Sequence, residues 1–372
     1  MTWNWQHKDW PDFRYDAAAL SDYESAFLHK AGIIHGSLKH ISGNDKESLR
    51  VQLISEEAYK TSEIEGEILD RDSLQSSIRR HFGLKTDNRK IPPAEQGIAE
   101  MLVDVYKTYD RPLDQEKLFL WHEMLTNGRR DLQDIGRYRT HEDPMQVVSG
   151  PLHKPEIHFE APPSQDVSGE MDTFIAWFNG REEQGALLPV LLRAGIAHIW
   201  FESIHPFEDG NGRIGRAISE KALSQGLGRP TLIALAQAIE RSRKAYYAAL
   251  HDASRGLDIQ DWLSYFCQTV LKAQDTTQSM IDFLIEKSRF YDRFGDRLNE
   301  RQARAITRMF EAGIEGFKGG LSAENYISIT DAARATATRD LQGLVEMGAL
   351  TRTGERKYTR YYLNIDHESV KT

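Results

Sequence analysis

The sequence predicts a mainly α-helical protein with one small β-hairpin and a mixed region of helices and strands at its C-terminal end. Three observations predict this class. Most segments repeat apolar residues at helical spacing, as Ile98, Met101 and Leu102 do. Short extended runs occur over residues 146–159, bounded by glycine and proline. After residue 298 the pattern becomes three helices and a hairpin, the order of a winged helix-turn-helix.

Composition indicates a soluble globular chain. Its 372 residues favour two or three domains. The net charge of −9 argues against a protein that coats nucleic acid through bulk charge, but it allows a local basic patch. Cys267 is the single cysteine, which suits a reducing cytoplasm. The most apolar stretch, 185–201, contains Arg193 and His198, so we expect a buried helix, no membrane span and a cytoplasmic protein.

The predicted elements follow in chain order. One helix is expected over 98–109, and a second over 187–201, where apolar residues lie nearly all round and predict the central helix of the fold. Between them, 146–159 predicts a β-hairpin. Further along, 275–296 predicts a helical connection. In the last region a helix over 299–310 precedes a second helix beginning near Ser328, for which Thr330 is the expected N-cap.

The clearest chemistry lies between Ser203 and Arg216, in the run Ser-Ile-His-Pro-Phe-Glu-Asp-Gly-Asn-Gly-Arg-Ile-Gly-Arg. Its Gly-Asn-Gly turn tolerates positive φ, so successive N–H groups can point at one anion. A helix predicted from Ile214 adds its positive dipole end. Arg213 and Arg216 lie on one face of that helix, and a planar guanidinium binds two phosphate oxygens.

Two further side chains complete this set. Asp209 offers the one carboxylate that Mg²⁺ usually takes from a protein in phosphate sites. His205 can accept a proton near neutral pH. Together these residues have the chemistry to transfer a phosphate-containing group to a hydroxyl. The pattern Gly-x4-Gly-Lys-(Ser/Thr) is absent from the sequence, so this is not an ordinary P-loop site.

The run resembles the motif of the Fic family, His-x-Phe-x-(Asp/Glu)-Gly-Asn-Gly-Arg-x-x-Arg, at every fixed position. The resemblance extends over roughly residues 60–270. Gly136-Arg-Tyr-Arg139 is similar to the family's Gly-x-Tyr-Arg element, and the hairpin is similar to the flap that binds a target peptide as an added strand. Tyr246 and Tyr247 match paired tyrosines near the adenine. Ser254 departs from the Asn that some relatives carry.

The resemblance implies a Fic-type helical domain that transfers AMP from ATP to a Tyr, Thr or Ser hydroxyl of a target protein, releasing pyrophosphate. It implies that His205 is the general base and that Asp209 holds Mg²⁺. It implies that Arg213 neutralises the leaving pyrophosphate, that Arg216 holds the γ-phosphate, and that the Asn211 side chain joins the backbone in lining the anion hole. The nucleotide-binding residues that it implies are Asp209, Gly210, Asn211, Gly212, Arg213, Arg216, Tyr246, Tyr247 and Val148.

A second motif precedes the first. Thr61-Ser-Glu-Ile-Glu65-Gly66 resembles the family's inhibitory motif, (Ser/Thr)-x-x-x-Glu-(Gly/Asn). A carboxylate brought to Arg216 would take the place of the γ-phosphate and leave ATP in an unreactive pose, which predicts autoinhibition by Glu65. Two alternatives remain open. Glu65 could be one more acid on a solvated acidic helix, or it could also support removal of AMP and make the enzyme bifunctional.

The C-terminal region is compatible with a DNA partner, because basic residues lie near the predicted recognition helix and wing. Those arginines are Arg334, Arg339, Arg352, Arg356 and Arg360, and Lys357 joins them in the wing. However, residues 296–372 hold 12 Lys+Arg against 11 Asp+Glu. DNA and protein partners are therefore equally favoured. The alternative to an enzyme is a transcription regulator or toxin-like module with a vestigial Fic domain. A homodimer is the common default for an oligomer.

The predicted domain organisation follows from these segments. Residues 1–95 form an N-terminal helical accessory region, which includes the inhibitory helix at about 55–70 and begins like an accessory domain that accompanies Fic domains in bacteria. Residues 96–275 form the catalytic domain. Residues 276–298 form a helical linker, and 299–372 form the winged helix-turn-helix domain.

Overall fold

A computed structural model describes residues 2–149, 156–180, 188–314, 316–317 and 319–365. The chain divides into two compact units. The first comprises residues 1–32 and 50–274, and the second comprises 33–49 and 275–372. The predicted domain boundaries stay a prediction. No helix among the described residues is long and apolar enough to cross a membrane.

The described residues are mainly helical, as the sequence predicts. The α-helices are α1 Ser21–Leu38, α2 Gly43–Ile64, α3 Arg71–His81, α4 Pro93–Lys107, α5 Gln115–Leu125, α6 Val167–Asn179, α7 Val190–Ile204, α8 Asn211–Leu227, α9 Leu235–Arg241, α10 Arg243–Ala253, α11 Gln260–Phe294, α12 Glu300–Glu311, α13 Ala323–Thr330 and α14 Arg334–Glu346. The strands are β1 Gln146–Ser149, β2 Glu156–Glu160, β3 Leu350–Thr353 and β4 Arg360–Leu363.

Helix α7 is the central helix of the first unit. Twelve of its fifteen residues are buried, which explains why its sequence is apolar nearly all round. It packs against α8, and the two are joined by the loop 205–210. Large apolar side chains such as Trp121, Phe174 and Phe201 fill the core around them. Burying one such side chain contributes roughly 1.5–3 kcal/mol, so the core fixes α7 and α8 and thereby the loop.

The predicted hairpin is present as two antiparallel strands. Val147 pairs with Phe159 and Val148 pairs with Ile157, with a bulge between Val147 and Val148. Phe159 is buried against the Trp3 ring, with centroids 5.3 Å apart. The N-terminal segment therefore anchors β2. Residues 150–155, which the sequence assigns to the turn of this hairpin, lie outside the described residues.

The second unit contains the end of α11, then α12, α13 and α14, and then the β3–β4 hairpin, in the predicted order. Leu350 pairs with Leu363 at one end of the hairpin and Thr353 with Arg360 at the other. The assignment of these elements to a winged helix stays a prediction. Residues 366–372 lie outside the described part of the chain.

The expected role of Thr330 is wrong. Helix α13 ends at Thr330 instead of beginning near it. Its N-cap is Ser322, whose hydroxyl accepts from the Asn325 backbone N–H at 3.1 Å, while Asn325 bonds back to Ser322 in a capping box. Asp331 follows in the left-handed conformation, with φ of 55°, and ends the helix.

Candidate active site

The loop between α7 and α8 has a left-handed residue at each end. His205 ends α7 with φ of 50°, and Gly210 precedes α8 with φ of 86°. Only glycine adopts a φ of 86° at little energetic cost, which explains why residue 210 is a glycine. Asn211 closes the loop, because its Oδ1 accepts from the Phe207 N–H at 3.0 Å and its Nδ2 donates to the Phe207 carbonyl at 2.8 Å. Both polar atoms of the Asn211 side chain are thus used within the loop.

Two buried residues, Phe207 and Arg139, anchor the loop between α7 and α8. Phe207 is buried and its ring stacks on His122 at 4.2 Å. Arg139, also buried, donates from Nε to the His205 carbonyl at 2.9 Å and from its backbone N–H to the Pro206 carbonyl at 2.9 Å. Burial lowers the pKa of Arg139 to about 10, so its guanidinium stays charged at neutral pH. The Gly-x-Tyr-Arg element therefore fixes the position of His205.

His205 is a neutral imidazole in this environment. Its Nδ1 lies 3.4 Å from the carbonyl oxygen of Glu202 and 3.8 Å from the Glu202 carboxyl. Burial first, and then the charge of Arg139, lower the pKa of His205 to about 4. An acceptor carbonyl at Nδ1 favours a proton there, which leaves the Nε2 lone pair to accept a proton.

Asp209 lies at the outer edge of the loop with its side chain 35% exposed. Its carboxylate accepts from Arg129 Nη1 at 2.5 Å and from Arg213 Nη2 at 3.2 Å. Burial raises the pKa of Asp209, but Arg213 and Arg129 outweigh burial and hold it below its usual range. The described residues contain no group of three or more His, Cys, Asp or Glu that could hold a metal ion. Asp209 fits Mg²⁺ as a single ionised ligand completed by phosphate and water.

The two motif arginines are each bonded to an acid from the segment after α2. Arg216 Nη2 donates to Glu65 Oε1 at 2.7 Å, and Arg213 Nη1 donates to Glu67 Oε2 at 2.7 Å. Arg216 Nε also donates to the Thr61 hydroxyl at 2.6 Å. Burial lowers the pKa of Arg216, but Glu65 outweighs it and raises that pKa.

The Glu65 carboxylate also covers the first turn of α8. A Cβ placed on Gly212 would lie 2.3 Å from Glu65 Oε1. Any side chain at residue 212 would therefore displace this carboxylate from the helix N-terminus, where free N–H groups attract anions. Gly66 makes the approach possible, because its φ of 84° turns the chain directly after Glu65.

Within the described part of the chain, two donors of these arginines have no partner. They are Arg216 Nη1 and Arg213 Nε, both buried. Buried donors without a partner are rare in proteins, and a bound ion or a catalytic role is among their explanations. They lie on the guanidinium groups that already contact Glu65 and Glu67, which indicates a site for more than one anionic group.

The three remaining predicted residues differ in their exposure to solvent. Tyr246 is buried, and its hydroxyl bonds to His198 Nε2 at 2.8 Å. Tyr247 is 40% exposed and donates to the Ile64 carbonyl at 3.2 Å. Tyr247 is therefore the member of the pair available to a ligand, with Tyr246 packed behind it. Val148 is half exposed on β1.

Sequence reasoning missed Arg129, Glu67 and Glu202. Arg129 and Glu67 lie far along the chain from their partners, in stretches rich in ordinary charges, so no local pattern identified them. Glu202 could have been found, because it directly follows the predicted helix over 187–201 and lies only three residues before His205.

Comparison with known proteins identifies two domains. Residues 112–223 match the Fic/DOC family, and residues 3–84 match DUF4172, a domain of unknown function. A probable protein adenylyltransferase of Aquifex aeolicus is 32% identical over 98 residues, which are 26% of this chain and 27% of that protein. A protein adenylyltransferase Fic of Culex quinquefasciatus is 31% identical over 150 residues, 39% of this chain and 28% of that protein. The chain thus spans less than a third of the length of these curated relatives.

Two solved structures share the fold. A Fic family protein from Desulfovibrio desulfuricans G20 has a TM-score of 0.50 and 20% identity, covering 92% of this chain and 95% of that one. A Fic domain containing signaling protein from Bacteroides thetaiotaomicron VPI-5482 has a TM-score of 0.52 and 18% identity, covering 72% of this chain and 98% of that one. The chain carries a Fic/DOC family domain behind an N-terminal DUF4172 domain.

Proposed function

We propose that this protein is an adenylyltransferase that transfers AMP from ATP to a hydroxyl side chain of another protein. The observation that carries the proposal is the loop before α8. It brings a neutral His205, an ionised Asp209 and the N-terminus of a helix with two phosphate-binding arginines to one place. Relatives named protein adenylyltransferases support the same reaction.

In this reaction the triphosphate lies along the first turn of α8. Arg216 holds the γ-phosphate, and Arg213 neutralises charge on the departing pyrophosphate. The backbone N–H groups at 210–212 bind the α-phosphate oxygens, while Asn211 keeps the loop closed. Tyr247 borders the nucleobase with support from Tyr246, and Val148 contacts the nucleotide from β1.

His205 supplies the base. Its Nε2 takes the proton from the target hydroxyl as that oxygen attacks the α-phosphorus. The new O–P bond forms while the bond from the α-phosphorus to the α,β-bridging oxygen breaks, and pyrophosphate leaves. The low pKa of His205 keeps its imidazole unprotonated and ready at neutral pH.

Asp209 would hold Mg²⁺ through its ionised carboxylate, and the cation would supply charge neutralisation for the phosphates when bound. Arg129, whose Nη1 lies 2.5 Å from Asp209 Oδ2, would compete with the cation for that carboxylate oxygen. Asp131 accepts two bonds from Arg129, at 2.8 and 2.7 Å, and offers it a place to remain.

We also propose that the resting protein is autoinhibited by Glu65. Its carboxylate lies against Arg216 and over Gly212, where the γ-phosphate would have to be. The Thr61 hydroxyl and the turn at Gly66 hold the segment in this position. ATP would then bind without its γ-phosphate contact and stay unreactive.

These assignments are tested with radiolabelled ATP and purified variants. Asp209→Ala should lose its metal dependence and its rate together, and His205→Ala should abolish transfer while ATP still binds. Full activity of His205→Ala would remove that residue from its role. An Asp209→Ala variant with an unchanged Mg²⁺ requirement would show that the cation is held elsewhere.

The target protein is expected at the β1–β2 flap. Val147, Val148 and Ile157 are exposed apolar side chains on two short strands. Such strands can accept an extended peptide as an additional strand. A peptide carrying the modified residue should therefore compete with the target, and charged substitutions at Val147 should weaken that competition. We further propose a cytoplasmic location, which the single, buried Cys267 supports.

A second role concerns α14, and one observation favours DNA over a protein partner. The exposed stripe of this helix consists of small, polar and basic residues: Arg334, Ala335, Thr338, Arg339 and Gln342. An acid, Glu346, appears only at its end. Arginine and glutamine read base edges, and small residues permit close approach to the groove. The exposed Arg352 and Arg356 of the β3–β4 hairpin would contact phosphates.

An electrophoretic shift with the full chain tests this second role. Arg339→Ala should weaken binding to double-stranded DNA, and Arg308→Ala, exposed on α12, is the matched control. No shift at low salt with the native chain would rule out DNA and leave a protein partner. A homodimer stays a prediction, tested by light scattering.

A further inference from the structure

The last turn of α7 carries an acid that the proposed reaction does not use. Glu202 is three residues before His205, and its carboxyl Oε2 lies 3.8 Å from His205 Nδ1. Its side chain is 13% exposed, and within the described residues its Oε1 is buried without a hydrogen-bond partner. Burying a carboxyl oxygen without a hydrogen-bond partner costs free energy, so its presence calls for a functional explanation.

The space for this carboxyl is built into α8. A Cβ on Gly215 would lie 2.6 Å from Glu202 Oε1. Residue 215 is one of the two variable positions between Arg213 and Arg216, and here glycine leaves room for Glu202 beside the catalytic histidine. The carboxyl is therefore fitted between α7 and α8.

We propose that Glu202 is a positioning residue for the His205 base. Its backbone carbonyl accepts from Nδ1 and leaves Nε2 for the target hydroxyl. Its carboxyl lies beside Nδ1 and in its ionised form stabilises the imidazolium produced when the target proton is taken. This inference rests on the proposed adenylyl transfer. The proton moves from the hydroxyl oxygen to Nε2 and no bond to Glu202 is made or broken.

The surrounding charges explain why a nearby carboxylate matters. Arg139 disfavours a positive imidazole at His205, whereas Glu65 and Asp209 favour it. Burial, and then the charge of Glu65, raise the pKa of Glu202 to about 8, while the charge of Arg216 lowers it. Glu202 is therefore neutral at pH 7 and ionised above about pH 8. Removing Glu65 shifts this ionisation to lower pH.

A pH dependence follows with a definite sign. Glu202→Gln keeps the shape of the neutral acid but cannot ionise. In the Glu65→Gly background, transfer by Glu202→Gln should be within about twofold of its parent at pH 6 and roughly tenfold slower at pH 9. Glu202→Asp should retain the rise with pH. A structural defect would instead lower the rate equally at both pH values.

The matched control is Glu220→Gln. Glu220 lies on α8, accepts a hydrogen bond from the Thr231 hydroxyl, and is another buried carboxyl with a raised pKa. Its rate should show the same rise with pH as the parent. Thermal melting of all variants excludes unfolding as the cause of a slower rate.

A measurement independent of activity distinguishes failure of this inference from failure of the proposed function. In full-length protein labelled with ¹⁵N-histidine, with His205→Ala used for assignment, the His205 Nδ1 resonance should show an inflection between pH 6 and 9. The inflection should vanish in Glu202→Gln and persist in Glu220→Gln. An inflection that persists in Glu202→Gln, or equal rate losses at pH 6 and pH 9, would overturn the proposal.

Discussion

Glu67 should weaken ATP binding by holding Arg213, separately from the contact of Glu65 with Arg216. The Arg213–Glu67 pair is 2.7 Å long, but the Glu67 side chain is 38% exposed, so solvent screening limits the pair to about 1 kcal/mol. Since about 1.4 kcal/mol is tenfold in affinity, Glu67→Gln should bind ATP about fivefold more tightly. The effect should shrink at high salt, because the pair is partly exposed.

Calorimetric titration of ATP at two salt concentrations measures this effect. Glu63→Gln is the matched control, because it makes the same charge change one turn away on α2, where Glu63 pairs with Lys60 at 2.5 Å. The reasoning is refuted if Glu67→Gln leaves the affinity unchanged, or if Glu63→Gln changes it by the same factor. The second outcome would mean that only the overall charge of the segment matters.

Three further predictions concern the same unit. Arg129→Ala removes the partner of Asp209 Oδ2 and leaves Arg213 on Oδ1, so the Mg²⁺ concentration for half-maximal ATP binding should fall severalfold; an unchanged value would mean that Arg129 does not compete with the cation. Arg139→Met leaves the His205 and Pro162 carbonyls without their buried donor, so denaturant unfolding should show a loss of about 3 kcal/mol, and a loss below about 1 kcal/mol would contradict the anchoring role. Burial raises the pKa of Glu57 from 4.5 to about 8, so the folded chain retains a proton that the unfolded chain releases, and stability falls as pH rises between these values. Glu57→Gln should therefore increase the free energy of unfolding at pH 8 by about 1–3 kcal/mol and leave it nearly unchanged at pH 4, whereas equal effects at both would exclude titration as the cause.

Local sequence patterns were sufficient to predict several elements of this structure. The central helix followed from an apolar run, and the hairpin from extended runs between turn residues. The loop followed from Gly-Asn-Gly, and the helix begins at Asn211, three residues earlier than the predicted start. The approach of Glu65 to Arg216 was expected from two motifs that resemble a family, since no periodicity could join residues so far apart in sequence.

The remainder depends on packing between distant segments. Arg129 and Glu67 became visible only when the fold brought them to Asp209 and Arg213. The Thr330 error has a local cause. Two capping signals compete in one short stretch, and the capping box at Ser322 prevails because Asn325 completes it, whereas Thr330 has no such partner in the sequence.

The central claim is adenylyl transfer by a His205 base under restraint by Glu65. It is tested most directly by auto-modification with α-³²P-labelled ATP and Mg²⁺, comparing the native chain, Glu65→Gly and Glu65→Gly/His205→Ala. We predict strong label on Glu65→Gly, little on the native chain and none on the double variant. Equal label on all three would contradict both roles, and no label on any of them would contradict the transfer of AMP itself.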